Sequence, residues 1–451
     1  MAPAPNRRAP GLLLAWLLLD ASMGTYLGLN GPSTISRILL AAGIAFLLFV
    51  LLRRPRAAQR PTIQAIEVGF GVLLAAELVV HMLVPYRPDQ PPPTIGLQLF
   101  AVAAFAALVV SFAARMAGRR IADGMARAAV LGSLGVIVVA ALGARYAIVA
   151  FDIEPGFDVH LIQEAAGQAL LAGQNPYHTY IYDSGYPYWP LSAVMAAAGL
   201  LVGEARWGLL VADAITVLAF IAIARNVGAP GRLGALAGAL LLWNASGLLV
   251  TWQSLPEPAV IAFAALGVVA LTRPGNRGKL AGVAIGMAIA VKQLGLGLLP
   301  LLPISRSRHR WTATAVTAAT AAVFILPFFL LDPAAFLEGS VSSHMVEPAR
   351  DFAVNLLDPL PGVVPRFNVP LVVTGVLALG IGFAVRLRWP DAIDGWLAGS
   401  IALLTVAFSL IGISFVNYYQ IPLALLLILI MIPDGWTTGG PDDGQLEPVS
   451  R

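Results

Sequence analysis

The sequence predicts an all-α, polytopic membrane protein of about 13–14 crossings, with short broken or re-entrant helices and two large outer loops. Three observations predict it. Of the 451 residues, 58% are hydrophobic and only 12% charged, about half the charged share of a soluble chain. The mean hydropathy is +0.81. Apolar runs of spanning length recur through the chain, and backbone exposed to lipid must satisfy its own hydrogen bonds, as helices do. Abundant Ala, Leu and Gly with few aromatic residues suit helix packing in lipid rather than the alternating strands of a barrel. The absence of cysteine excludes disulfides and thiol chemistry. The net charge of +4 falls mostly between the apolar runs, which points to topology and argues against a nucleic-acid partner.

The first five spans are expected at 11–31, 34–52, 64–84, 95–115 and 128–150. No small-residue cleavage pattern follows MAPAPNRRAP, so the first run reads as a retained span. Arg7 and Arg8, the group from Arg53 to Arg60, and the group from Arg115 to Arg127 place the N-terminus in the cytoplasm by the positive-inside rule. The fifth span then delivers 151–190 to the outer face. That stretch is too polar for lipid and too long for a simple turn, so it reads as a functional loop. The run 188–203 is short and reads as a half-helix; 206–225, 233–250 and 256–272 follow. In 280–303 the phrase Ala290-Val291-Lys292-Gln293 sets a charge at the midpoint, and a break there keeps Arg306, Arg308 and Arg310 inside. Spans at 311–331, 368–385, 395–415 and 418–433 complete the chain, with 332–367 as the second outer loop. One transmembrane unit over 1–433 is expected, with 1–127 as extra N-terminal spans before a core over 128–433. Residues 434–451 read as a disordered cytoplasmic tail. The expected location is the plasma membrane, with both termini cytoplasmic and the active site outside. Seven basic residues are left off the cytoplasmic side: Arg37, Arg87, Arg145, Arg206, Lys292, Arg350 and Arg366.

Asp158 opens an apolar-faced helical stretch, VHLIQEAAGQALLAG. It reads both as an N-terminal cap and as a carboxylate able to take a proton from an attacking hydroxyl; Asp152 is the competing base. A phosphate leaving group needs positive charge beside it, and Lys292, Arg350 and His344 are the candidates. Lys292 in an apolar run is a functional candidate because burying an amine is costly. Asp152, Glu154, Tyr177, Tyr186, Gln253, Glu257, Asn417, Tyr418 and Tyr419 read as cavity-lining or substrate-binding residues. The aromatic run at 177–189 also fits an interfacial belt. Asp213 lies inside a span without an evident partner. No nucleotide-binding or zinc motif is present, and neither a metal nor another cofactor is expected.

The run from Asp158 through Leu170-Leu171-Ala172-Gly173 to Pro176-Tyr177, followed by Tyr186-Pro187-Tyr188-Trp189-Pro190, resembles the first outer loop of GT-C glycosyltransferases. The nearest branch is the bacterial polyprenyl-phosphate-sugar-dependent one that includes the membrane alpha-mannosyltransferases. Lys292 in its phrase and Asn417-Tyr418-Tyr419 resemble further motifs of that branch; Tyr188 stands where the branch has a second proline. The resemblance implies a GT-C-like core over 128–433 and inverting transfer of a sugar from a polyprenyl-phosphate donor. The acceptor would be a hydroxyl of an outer-face glycolipid, polysaccharide or protein. It implies Asp158 as base, Lys292 and Arg350 on the donor phosphate, and His344 in a supporting catalytic role, within cell-envelope biogenesis. A lipid or sugar transporter or flippase, and a non-catalytic scaffold of an envelope-synthesis complex, are the competing readings.

Overall fold

The computed structural model describes residues 6–28, 33–53, 62–83, 94–117, 123–151, 158–180, 185–244, 246–273, 277–303, 310–342, 356, 371–389, 392–411 and 414–433. Among these, the fold is all-α. Eight helices are long and apolar enough to cross a membrane, and six shorter apolar helices accompany them. Asp152, Glu154, His344, Arg350 and the tail after 433 lie outside the described residues.

Helices α1 (Ala9–Gly28), α2 (Thr34–Leu52), α3 (Ile63–Leu83), α4 (Thr94–Ala117) and α5 (Asp123–Ala150) lie at the first five expected spans; α2 to α5 are long and apolar enough to cross, and α1 is among the shorter apolar helices. Arg115 of α4 and Arg232 share Glu67 of α3 at 2.9 and 2.7 Å, so an acid that would otherwise be stranded in an apolar helix is paired twice. His81 of α3 lies 2.8 Å from the Trp243 carbonyl, tying the N-terminal helices to the later ones. One hydrophobic cluster runs through both regions.

The segment after α5 then folds as α6 (Val159–Leu171) and a 3-10 turn at Pro176–His178. The Leu-Leu-Ala-Gly phrase is a helix stop. Gly173 takes φ +71°, and the amides of Gly173 and Gln174 return to the carbonyls of Leu170 and Ala169 at 3.0 and 2.8 Å, as helix-ending glycines do. Asn175 caps the turn by accepting from the Tyr177 amide at 3.1 Å. Helix α7 (Pro190–Leu200) has 11 residues, about 16 Å at 1.5 Å per residue, or half a bilayer. This is the expected half-helix. Gly167 of α6 lets α7 approach closely, since a Cβ there would lie 2.9 Å from the Ala197 amide nitrogen.

After α8 (Trp207–Asn226), the run expected as one helix over 233–250 is two: α9 (Gly231–Trp243) and α10 (Gly247–Trp252). Arg145 of α5 makes the break tenable by donating to the carbonyls of Leu242 and Gly247 at 2.6 and 2.8 Å. Helices α11 (Glu257–Thr272) and α12 (Gly278–Val291) pack together, and α12 ends at the expected point. Lys292 is extended, and Gln293–Leu298 turns as a 3-10 helix. Gly295 lets this turn fold back on α12: a Cβ there would lie 2.6 Å from the Ala288 carbonyl oxygen. Helix α13 (Arg310–Leu331), the short α14 (Pro333–Leu337), α15 (Leu371–Arg388), α16 (Ala392–Leu410) and α17 (Gln420–Met431) follow. A 3-10 turn at Val416–Tyr419 leads into α17, which packs on α1, α9 and α11.

Candidate active site

The site is built where helices stop. Glu257 is the first residue of α11 and Lys292 the first after α12, so each sits at the helix end whose dipole favours its charge. The Lys292 ammonium donates to Glu257 Oε1 at 2.6 Å, and the Asn417 side-chain amide donates to the same oxygen at 2.6 Å. The Tyr418 and Tyr188 rings flank the ammonium, their centroids 4.6 and 5.1 Å away, within cation–π range. Lys292 is 4% exposed and Glu257 0%. The other Glu257 oxygen, Oε2, is buried and has no hydrogen-bond partner among the described residues.

The segment that follows α5 packs beside this pair. Gln293 donates to the carbonyls of Pro187 and Ser340 at 2.7 Å each. One side chain thus pins the segments that follow α5 and α13 beside the lysine. Tyr177 is fully buried and donates its hydroxyl to the Tyr188 carbonyl at 2.8 Å. It packs with Tyr186, Phe328 and Phe336. Tyr186 also donates to Gln163 Oε1 at 3.2 Å. These two tyrosines stand behind the site and fix the position of Tyr188. Gly339 permits the close contact between the segments, since a Cβ there would lie 2.6 Å from the Tyr186 carbonyl oxygen.

Asp158 precedes α6 in the cap position, yet its side chain makes no capping hydrogen bond. It is exposed. Burial pushes the Tyr188 hydroxyl well above its ordinary range, and the charge of Glu257, then the Tyr418 and Tyr186 hydroxyls and the charge of Asp158, push it further. Tyr188 therefore has the lysine–glutamate pair on one side and the Asp158 carboxylate within electrostatic reach. Gln253 is buried near the start of α11, and Tyr419 is fully buried against Phe408.

Two of the basic residues left over from the topology prove to be ligands of acids. Arg145 bonds Asp213 at 2.8 Å, which supplies the partner that sequence reasoning lacked, and Thr251 donates to the same Asp213 oxygen at 3.3 Å. Arg206, fully buried, bonds Glu204 at 2.9 Å. His160 Nδ1 and Nε2 lie 3.7 Å from the carboxylates of Glu204 and Glu164. Among the described residues, no three His, Asp or Glu side chains gather as a metal site.

The described residues form a many-helix membrane protein with a cation buried beside the segment that follows α5. The chain belongs to glycosyltransferase family 87, whose model matches residues 186–414. The matched stretch holds Tyr188, Glu257 and Lys292; Asp158 and Asn417 lie outside it. Comparison with curated proteins and with solved structures found no match.

Proposed function

We propose that the protein transfers a sugar from a polyprenyl-phosphate donor to a hydroxyl of an outer-face glycolipid, polysaccharide or protein. The donor class follows the polyprenyl-phosphate-dependent branch that includes alpha-mannosyltransferases. The observation that carries the reading is a lysine ammonium buried beside the Tyr188 ring in a family 87 chain, with the Asp158 charge also felt at that tyrosine. Asp158 takes the acceptor proton as the acceptor oxygen attacks the anomeric carbon. The bond from that carbon to the phosphate oxygen breaks, and its electron pair leaves with the prenyl phosphate. A single displacement of this kind inverts the anomeric centre. Lys292 supplies positive charge to the departing phosphate. Arg350 is assigned to the same phosphate and His344 to a supporting proton or hydrogen-bond role on sequence grounds alone. Asp152 and Glu154 would line the acceptor side of the loop.

Purified protein in lipid, offered a panel of polyprenyl-phosphate sugars with radiolabelled sugar, should consume one of them. Asp158→Asn should lower kcat by about 10²–10⁴-fold, the usual contribution of a positioned general base, with donor affinity nearly unchanged. Full activity in that variant would remove Asp158 as the base.

A further inference from the structure

The charge of the buried lysine is partly offset. Its ammonium is bonded to Glu257 at 2.6 Å, and the carboxylate is held from the other side by Asn417. The carboxylate offsets part of the ammonium's charge; Tyr188, Tyr418 and Asn417 pack against the pair, and the Arg145–Asp213 pair borders a cavity that Glu257 also lines. A site built only to grip a phosphate would leave the lysine without an acid. The arrangement has a further oddity: Glu257 Oε2 is buried without a hydrogen-bond partner, a costly state for a carboxylate oxygen. A glutamine would keep the shape and the acceptor oxygen but would bury an NH2 donor in the same place and leave the ammonium without its counter-charge. The negative charge itself is therefore the feature to explain.

We infer that Glu257 is a positioning residue that fixes the Lys292 ammonium and tempers its charge, so that the site holds the donor phosphate without retaining the product phosphate. This rests on the proposed polyprenyl-phosphate chemistry. The donor phosphodiester carries one negative charge. The product phosphate monoester gains up to a second once the bond to the sugar breaks. Against Lys292 alone, product would bind better than donor and turnover would stall. With Glu257 beside the ammonium, each added negative charge on the phosphate meets a repelling carboxylate, and the more charged product is the one it disfavours more. Asn417 keeps the carboxylate from turning away. Geometry and charge balance are thus separate services of one side chain, and two substitutions part them. Glu257→Gln removes the charge and keeps the length. Glu257→Asp keeps the charge and withdraws it by one methylene.

Full-length protein in detergent is titrated with farnesyl phosphate and, as the uncharged control, farnesol, and kcat and KM are measured with the consumed donor. Wild type should prefer farnesyl phosphate. Glu257→Gln should bind it about a hundredfold more tightly, as expected for losing one unit charge about 6 Å away at an effective dielectric near 20, with a lower donor KM and no gain in kcat. Glu257→Asp should keep farnesyl phosphate affinity within about twofold and lose kcat about tenfold, because the ammonium shifts from its place. Equal or weaker farnesyl phosphate binding by Glu257→Gln, with wild type still preferring the phosphate, overturns this inference and leaves the proposed reaction standing. Wild type binding the phosphate and the alcohol alike overturns both. If Glu257→Gln does not fold, Glu257→Asp decides: wild-type kcat in that variant overturns the inference.

Discussion

Two of the buried ion pairs among the described residues are completed in different ways. Arg145 bonds Asp213 at 2.8 Å and also donates to the carbonyls of Ala141, Leu242 and Gly247 at 3.1, 2.6 and 2.8 Å. Its acid accepts a further bond from Thr251. Lys292 bonds Glu257 and is otherwise faced by aromatic rings, and its acid keeps one oxygen without a hydrogen bond. Both pairs border one small cavity lined by Arg145, Asp213, Glu257 and Gln420, so they share surroundings and differ in their partners. A fully bonded cation is committed to the fold. A cation facing π-surfaces retains donors that a ligand can take up. The first pair braces the break between α9 and α10; the second is where chemistry is expected.

The largest effect should come from Arg145→Met. It strands Asp213 and uncovers two carbonyls, a loss of about 3–5 kcal/mol by the behaviour of broken buried pairs, read as a lowered midpoint of unfolding in detergent. Adding Asp213→Leu should recover only part of it, because the Leu242 and Gly247 carbonyls remain uncapped at about 1–3 kcal/mol each. Full recovery by the double variant would show that Arg145 serves Asp213 and not the helix break. The matching double variant at the other pair, Lys292→Met with Glu257→Leu, should stay within about 2 kcal/mol of wild type, since hydrophobic replacement of a buried pair is often neutral. The same variant should lose farnesyl phosphate binding. Loss of the fold there would make the two pairs equivalent and dissolve the distinction.

Much of the second pair's position was legible in the sequence, and little of the first's. Lys292 interrupts an apolar run and is followed by glycines, so the end of α12 could be placed to the residue. The Leu-Leu-Ala-Gly phrase marked the end of α6, and the short run after Tyr188 marked a half-helix. These are local signals. Arg145 and Asp213 were visible only as charges in the wrong place, because their pairing joins α5 to α8 across 68 positions. The break at Asn244 had a local signal, Asn244, Ser246 and Gly247 in an otherwise apolar stretch, but what holds it open did not. Its broken helix ends are satisfied by a side chain from α5 and by Gln420, whose amide donates to Asn244 and Ser246 at 2.6 and 2.7 Å. Helix breaks inside a membrane depend on such distant donors, and spacing along the chain does not report them. Glu257 was marked only as a polar residue between helix ends; its role as the lysine's partner required the fold.

A third, exposed pair extends the comparison to its weak end. His178, in the turn after α6, lies 2.9 Å from Asp332, which also caps α14 by accepting from the Ala335 amide at 3.0 Å. The backbone bond from Ala335, then the His178 hydrogen bond, hold the Asp332 carboxyl below its usual range. A carboxyl depressed in the folded state contributes stability above its unfolded value, about pH 3.9, and that contribution disappears as pH falls through the folded value. Hydrogen exchange at the Ala335 amide should therefore be slow at neutral pH, faster in Asp332→Ala, and the two proteins should converge as pH falls below the ordinary aspartate range. Global unfolding midpoints of the two should differ little at neutral pH, because exposed ion pairs contribute little. A large drop in the midpoint of Asp332→Ala would instead mean that the junction of α13 and α14 bears on the core, and the ranking of the three pairs by burial would have to be replaced by one based on connectivity.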